Sequence, residues 1–594
     1  MKVTIRAVAE LAVYETYEDI FQRKSTLAEL IGDLSLFSES SVLWVCASIV
    51  TGVQLWDSID AEPEVYAQFL RVFFDDEIRF RLVAGYWSSP RRILFHRRQV
   101  LLISKLALLH CPGYGLDARL SGRRFGPVLL KANDQFDYGL LPRTGATFEA
   151  REDYARLITE MIAVEESSSP TVSHLMTRNH LMLTRFADDL RADPRFVDIA
   201  GEYQRHTRLS ITELEGLVFS VHARFGKGLV RQAYKDPGVL PLKESNFSAT
   251  AIPYEKVRRF LDSVSNWPSE MSDELRQRDE GPNDVTIFRM FPMIRQYYNL
   301  HLTTAWFGLL MMDNRFLLEK GLTGPYWHAS KVAGGKLRVF WGVVFERYVN
   351  ELLAQSCAGT AAKFIPDPRP VEDPAKQICD GIVVSGDSVV LLEYKSSMFR
   401  ADTKYRGDHQ VLAGEIENKP VRDQDAHQRK GVEQLAGAIK GLFGKTGRVT
   451  PSGLETSGVR TVYPYLVTLD TVGGTLGMSA FLNTYLKEYL NRNSFEAEIR
   501  PLFCSSIAEL EDKSGYFAAR TLPQILEMWF GFDPSLLAPL GTVHVPPQDW
   551  RGNGWLAKEW DSIFREMTAV LYPGIDPGPG MAEAMRRRRK SAGL

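Results

Sequence analysis

Apolar residues recur at spacings of three and four through most of the first 330 positions, as in 25–37 (STLAELIGDLSLF), 63–78, 97–110 and 148–167. That period predicts amphipathic helices. Polar breaks near 112–124, 167–171, 235–250 and 267–284 separate the helices into groups. Beyond 330 the pattern changes. A long helical period over 336–357 leads into a proline-rich loop, and two short apolar runs then meet at Gly386-Asp387 in 377–397. A polar segment (399–429), a helix ending near 443, a strand over 461–470, a helix over 479–490 and a strand over 498–506 follow. Strands alternating with helices predict an α/β module.

A chain of 594 residues exceeds what one core serves. The pattern divides it into a helical region of unknown role (1–240), a helical connector (241–330), an α/β domain (331–540) and an extension (541–594). The extension ends in PGIDPGPG and MRRRRKSAGL, whose composition predicts a disordered basic tail.

Composition adds little to this. The chain is 45% hydrophobic and 24% charged with a net charge of −2, as in an ordinary soluble globular protein. Five widely separated cysteines form no CxxC pair, which argues against a zinc ribbon and for free thiols in a reducing compartment. Arginine outnumbers lysine roughly two to one, which fits a GC-rich bacterial genome. No secretory signal fits the start, because Glu10 interrupts the apolar stretch. The segment 40–56 is too short and too interrupted to span a bilayer and reads as a buried helix. The expectation is a cytoplasmic protein with no membrane partner.

Chemistry concentrates in QICDGIVVSGDSVVLLEYKSS (377–397). A two-residue turn at Gly386-Asp387, with glycine supplying a positive φ, pairs Ser385 with Ser388 and therefore Asp380 with Glu393. Opposed residues share a sheet face, and Lys395 shares it with Glu393. Two carboxylates and an amine thus converge on one patch, where a hard divalent ion would offset the repulsion between the acids. A plainer alternative is a buried salt bridge closing the hairpin.

Asp380 followed by Glu393-Tyr394-Lys395 resembles the D-x(n)-[DE]-x-K core of the PD-(D/E)XK, or restriction-endonuclease-like, nuclease superfamily. FWGVVFERYVNELL (340–353) resembles the glutamate-bearing helix that precedes the hairpin in many members, and RKGVEQLAGAI (429–439) resembles the helix that follows it. The resemblance covers roughly 335–510. Cys379 replaces the proline that commonly precedes the first acid, and Asp367 and Asp373 are competing acids outside the hairpin register. The resemblance implies an αβββαβ core, Mg2+ with Mn2+ as a substitute, and hydrolysis of phosphodiesters in DNA, with RNA left open. It nominates Asp380, Glu393, Lys395, Glu346 and Gln434 as catalytic. Asp380, Glu393, Glu346 and the Tyr394 carbonyl become metal ligands, with Lys430 beside the nucleic acid.

The basic-aromatic stretch SSPRRILFHRRQ adds Arg91, Arg92, Arg97 and Arg98 as candidate backbone contacts. Against this, arginines at a helix start also pair with local acids. A nuclease joined to a long helical region suggests bacterial restriction or anti-phage defence, acting alone, as an oligomer or with a partner encoded nearby. The alternatives are a non-catalytic nucleic-acid-binding or assembly protein on a nuclease-like scaffold, and a repair nuclease served by a partner helicase. Two motifs do not hold. GAIKGLFGKTG fails the phosphate-loop spacing, and VGGTLG is explained by turn chemistry.

Overall fold

A computed structural model describes residues 13–53, 63–88, 92–113, 122–136, 150–164, 171–225, 240–298, 306–422, 431–445, 449–491 and 494–575. Arg91, Lys430 and the basic tail lie outside the described residues, as does the side chain of Arg92. The fold is mixed α/β, about 61% helix, with one mixed sheet of six strands.

Several helices match the hydrophobic period closely. Arg97–His110 covers the expected span, and Glu39–Val53 buries Val42, Leu43, Cys46, Ala47, Ile49 and Val50. Others are cut short by local capping chemistry. The period over 25–37 yields only Leu27–Leu34, because Thr26 and Glu29 form a reciprocal capping box at its start. Among the described residues no single helix is long and apolar enough to cross a membrane.

The connector expected to be helical is not wholly so. Met293–Tyr298 and Trp306–Met311 pair antiparallel, and Ser265–Asn266 adds a short parallel strand. MIRQYY and WFGLLM are rich in aromatic and aliphatic residues suited to a pleated, half-buried surface, and they lack a helical period. The extension is also partly ordered. Its helix Gly554–Leu571 returns to the N-terminal half, where Trp560 and Phe564 stack edgewise on Phe219 and Leu571 lies over Gly216. One continuous hydrophobic cluster runs from Ile20 to Leu571.

Helix α1 (Asn314–Ala333) leads into α2 (Gly335–Cys357), which packs against the six-stranded sheet. Strands β1 (Lys363–Pro366), β2 (Gly381–Ser385) and β3 (Ser388–Lys395) run antiparallel to one another. Helix α3 (Gly431–Phe443) then crosses to β4 (Thr461–Thr468), which lies parallel to β3. After α4 (Met478–Leu490), the short β5 (Glu498–Ile499) and β6 (Phe503–Ser506) both add parallel to β4. The order across the sheet is β5/β6, β4, β3, β2, β1, so β3 is paired on both sides. That explains its near-continuous apolar run, since a central strand covered on both faces exposes almost nothing. Helix α3 meets the Lys395 side of β3, and Gly342 of α2 meets Ser396 on the opposite side.

A buried ion pair ties the helical region to this framework. Arg178 donates to both carboxylate oxygens of Glu511 at 2.8 and 2.7 Å, and the Tyr348 hydroxyl of α2 donates to the same carboxylate at 2.6 Å.

Candidate active site

The hairpin turns as its sequence dictates. Gly386 has φ +62°, and the register runs from Ser385–Ser388 to Gly381–Leu392. Asp380 extends the ladder one step, its backbone N–H donating to the Leu392 carbonyl at 3.0 Å. Asp380 and Glu393 therefore stand opposite one another, and each carboxyl bears on the ionisation of the other.

The electrostatics of this pair are unfavourable when nothing else is present. Glu393 is 1% exposed. Burial, then the neighbouring Asp380, pushes its carboxyl well above the usual carboxylate range. Burial also raises the Asp380 carboxyl, while Lys395 and the Tyr394 N–H pull it back down. That N–H donates to Asp380 Oδ2 at 2.6 Å and fixes the carboxylate's orientation.

Lys395 closes the patch. Its ammonium donates to Glu393 Oε2 at 3.2 Å and to Gln434 Oε1 at 2.9 Å, and its side chain remains 18% exposed. The Gln434 oxygen also accepts the backbone N–H of Gly431 at 2.8 Å, so the first turn of α3 anchors it. Gly431 has φ +40°, and a Cβ there would overlap the carbonyl oxygen of Pro420 and lie 3.2 Å from Lys395 Cε. Only glycine lets the start of α3 come this close to the lysine.

Glu346 reaches the same acids from α2. Burial, then Asp380 and Asp367, pushes its carboxyl up to about 7, and Arg195 and Lys395 act the other way. It makes no ion pair among the described residues. Tyr394 is buried, its hydroxyl lacks a hydrogen-bond partner, and a Cβ on Gly381 would lie 2.7 Å from that oxygen.

Two further neighbours are Asp367, which the sequence offers only as a competing acid outside the hairpin register, and Arg195, which no sequence motif singles out. Asp367, just beyond β1, adopts φ +43° and donates its N–H to the Asp380 carbonyl at 3.1 Å. One of its carboxylate oxygens pairs with Arg369 at 2.7 Å, and the other is buried with no partner. Its signal was its place directly across from Asp380 on the neighbouring strand, which a count along the hairpin alone does not register. Arg195, from the helical region, pairs with Asp193 at 2.7 Å and also acts on Glu346. Asp373, by contrast, pairs with Lys376 at 2.9 Å away from the acids.

Of the predicted basic patch at 88–99, Arg97 and Arg98 are turned into the packing and not to a surface. Arg98 is 3% exposed and donates to the carbonyl oxygens of Asn283 at 2.9 Å and Ile162 at 3.5 Å. Arg97 is paired with the buried Asp313 and stacks over Phe316. Both are consumed in packing helix Arg97–His110, so neither is available to a phosphate.

No three His, Cys, Asp or Glu side chains cluster closely enough among the described residues to hold a metal ion by themselves. The donor set at Asp380 and Glu393 nevertheless fits Mg2+, which needs only one or two carboxylates and completes its shell with water and substrate oxygens. The carboxylate oxygen of Asp367 that has no partner among the described residues, and the two opposed buried acids, are what such an ion would relieve.

Comparison with protein-family models, curated proteins and solved structures finds no match for this chain.

Proposed function

We propose that this chain is a divalent-metal-dependent nuclease of the PD-(D/E)XK type, acting on DNA and with RNA as the secondary candidate. One observation carries the reading. Asp380 and Glu393 stand opposite each other across the hairpin while Lys395 is pinned beside them by Gln434. The chain order α2-β1-β2-β3-α3-β4, with the short helices Ala401–Tyr405 and His409–Ile416 inserted between β3 and α3, supports it, containing the αβββαβ order that the resemblance implies.

Asp380 and Glu393, with the Tyr394 carbonyl, are the residues that would hold Mg2+ or Mn2+. Bound there, the ion supplies charge neutralisation at the scissile phosphate and acidifies a water. The protein's own groups do the rest. The Tyr394 N–H holds the Asp380 carboxylate in one orientation. Lys395 has a hydrogen bond to Gln434 and another to Glu393, which leaves one ammonium proton for the attacking water or a non-bridging phosphate oxygen. Gln434, fixed by the Gly431 N–H, keeps that lysine from swinging away. Glu346, with a carboxyl titrating at about 7, exchanges a proton with water near neutral pH beside Asp380. The water oxygen bonds to phosphorus as the P–O3′ bond breaks, leaving a 5′-phosphate and a 3′-hydroxyl. The biological setting we favour is restriction or anti-phage defence, by analogy of architecture.

The test is cleavage of labelled DNA and RNA by purified full-length protein in Mg2+, Mn2+ or chelator, with the ends of the product identified. Metal-dependent cutting to 5′-phosphate ends is expected. Cutting that persists in chelator would contradict the reading.

A further inference from the structure

Between Glu319 and Glu346 the chain carries no acidic residue, yet it holds Lys320, His328, Lys331, Lys336 and Arg338. The stretch runs along α1, over Gly334-Gly335, and into α2. Lys320, Trp327 and Lys331 are seven and four residues apart, so they share one face of α1. Trp327 is 54% exposed in the middle of that face. The neighbouring helix Ile199–Thr207 adds His206, whose ring lies 5.7 Å from that of His328.

None of these lysines, nor Arg338, forms an ion pair among the described residues. Some basic side chains elsewhere find acids, as Arg178 does at Glu511, Arg185 at Glu559 and Lys131 at Asp33, while others such as Arg258, Lys440 and Lys487 form no ion pair among the described residues. Here the charges that act on Lys320 and His328 are all cations. Burial and then Lys331 bring the Lys320 ammonium down to about 8. His328 is lowered by burial, then by Lys331, His206 and Lys320. A like-charged cluster whose lysines and arginine form no ion pair among the described residues suits an external polyanion, and an exposed indole among the cations offers a platform for a base.

We propose that the α1–α2 junction is a docking surface for single-stranded nucleic acid, with Lys331, Lys336 and Arg338 on phosphates and Trp327 stacked on a base. The identity of the polyanion rests on the nuclease reading. The placement suits it, because α2 runs from this junction to Glu346 in eleven residues, about 16 Å along the helix axis. A strand held at the junction would be delivered toward the acids.

The test uses full-length protein carrying Asp380→Asn in chelator, so that binding is read without cutting, by fluorescence anisotropy of a labelled oligothymidine strand. Affinity should fall steeply with salt. Lys331→Gln with Arg338→Gln should weaken binding about tenfold or more and reduce the salt slope by about 0.7 per lost phosphate contact. Trp327→Ala should weaken single-strand binding about tenfold with the slope unchanged. Arg191→Gln, which removes an exposed arginine paired with Asp188, should change nothing. Unaltered affinity in both test variants overturns the proposal, and so does equal competition by polyglutamate. The two readings fail separately. Wild-type protein that never cuts, with binding that obeys these variants, sinks the nuclease and leaves the surface. Cutting that needs Asp380 but ignores Lys331, Arg338 and Trp327 sinks the surface alone.

Discussion

The ammonium of Lys395 and the side-chain oxygen of Gln434, 39 residues apart in sequence, meet at 2.9 Å on the open side of a buried acid pair. The same oxygen takes the Gly431 N–H, so Gln434 positions the lysine as well as touching it. Gln434→Ala should lower the cleavage rate about tenfold to a hundredfold at unchanged KM for DNA and should shift the pH profile of the rate. It should cost about 1–2 kcal/mol of stability, because the Gly431 N–H loses its acceptor. A rate and pH profile identical to wild type would place Gln434 outside the site.

The acid pair makes stability depend on pH and metal. Asp380, Glu393 and Glu346 all have folded-state carboxyls raised above the ordinary value. The metal-free folded protein then holds more protons than the unfolded chain above pH ~4.5, so these groups lower stability as pH rises. For Glu346 that loss runs up to about pH 7. Mg2+ must displace these protons, so thermal stabilisation by Mg2+ should grow between pH ~6 and ~8. In metal-free buffer at pH ~8, Glu393→Gln should be more stable than wild type by about 1 kcal/mol or more, since it removes a buried carboxyl whose ionisation burial and Asp380 both oppose. Stabilisation by Mg2+ that is independent of pH, or unaffected by Asp380→Asn, would contradict this account.

Gly381 and Tyr394 are coupled through space. Gly381→Ala places a methyl 2.7 Å from the Tyr394 hydroxyl and 2.8 Å from Phe364 Cε2, and should destabilise by about 1–3 kcal/mol. Tyr394→Phe deletes a buried hydroxyl without a partner and should be neutral or slightly stabilising. The double variant should recover part of the loss, read as a non-additive denaturation midpoint. Strict additivity would show that the hydroxyl is not the obstacle.

At the interface with the helical region, Arg178→Met leaves Glu511 buried with only Tyr348 as partner. That should cost about 3–5 kcal/mol, against about 1 for Tyr348→Phe. Near-equal losses in chemical denaturation would contradict this ranking.

The hairpin was legible because its information is local. A glycine-led turn sets a register, and the register carries Asp380 to Glu393 by counting. Gln434 is nominated by the resemblance of 429–439 to the helix that follows the hairpin in the PD-(D/E)XK superfamily, and its side chain meets Lys395. What could not be read depends on contacts made far along the chain. Arg97 and Arg98 looked like surface charge because their partners, Asp313 and Asn283, are 216 and 185 residues away. Arg195 reaches Glu346 from a helical region whose own sequence carries no chemical motif. The strands Met293–Tyr298 and Trp306–Met311 lie among helices, where a short apolar run does not distinguish strand from buried helix.

The most direct test is single-turnover cleavage of DNA by wild type, Asp380→Asn, Glu393→Gln and Lys395→Ala in Mg2+, each first shown to be folded. The account predicts metal-dependent cutting by wild type and a loss of about a thousandfold or more in each variant. Equal cutting by the variants, or none by wild type on any DNA or RNA, would contradict it.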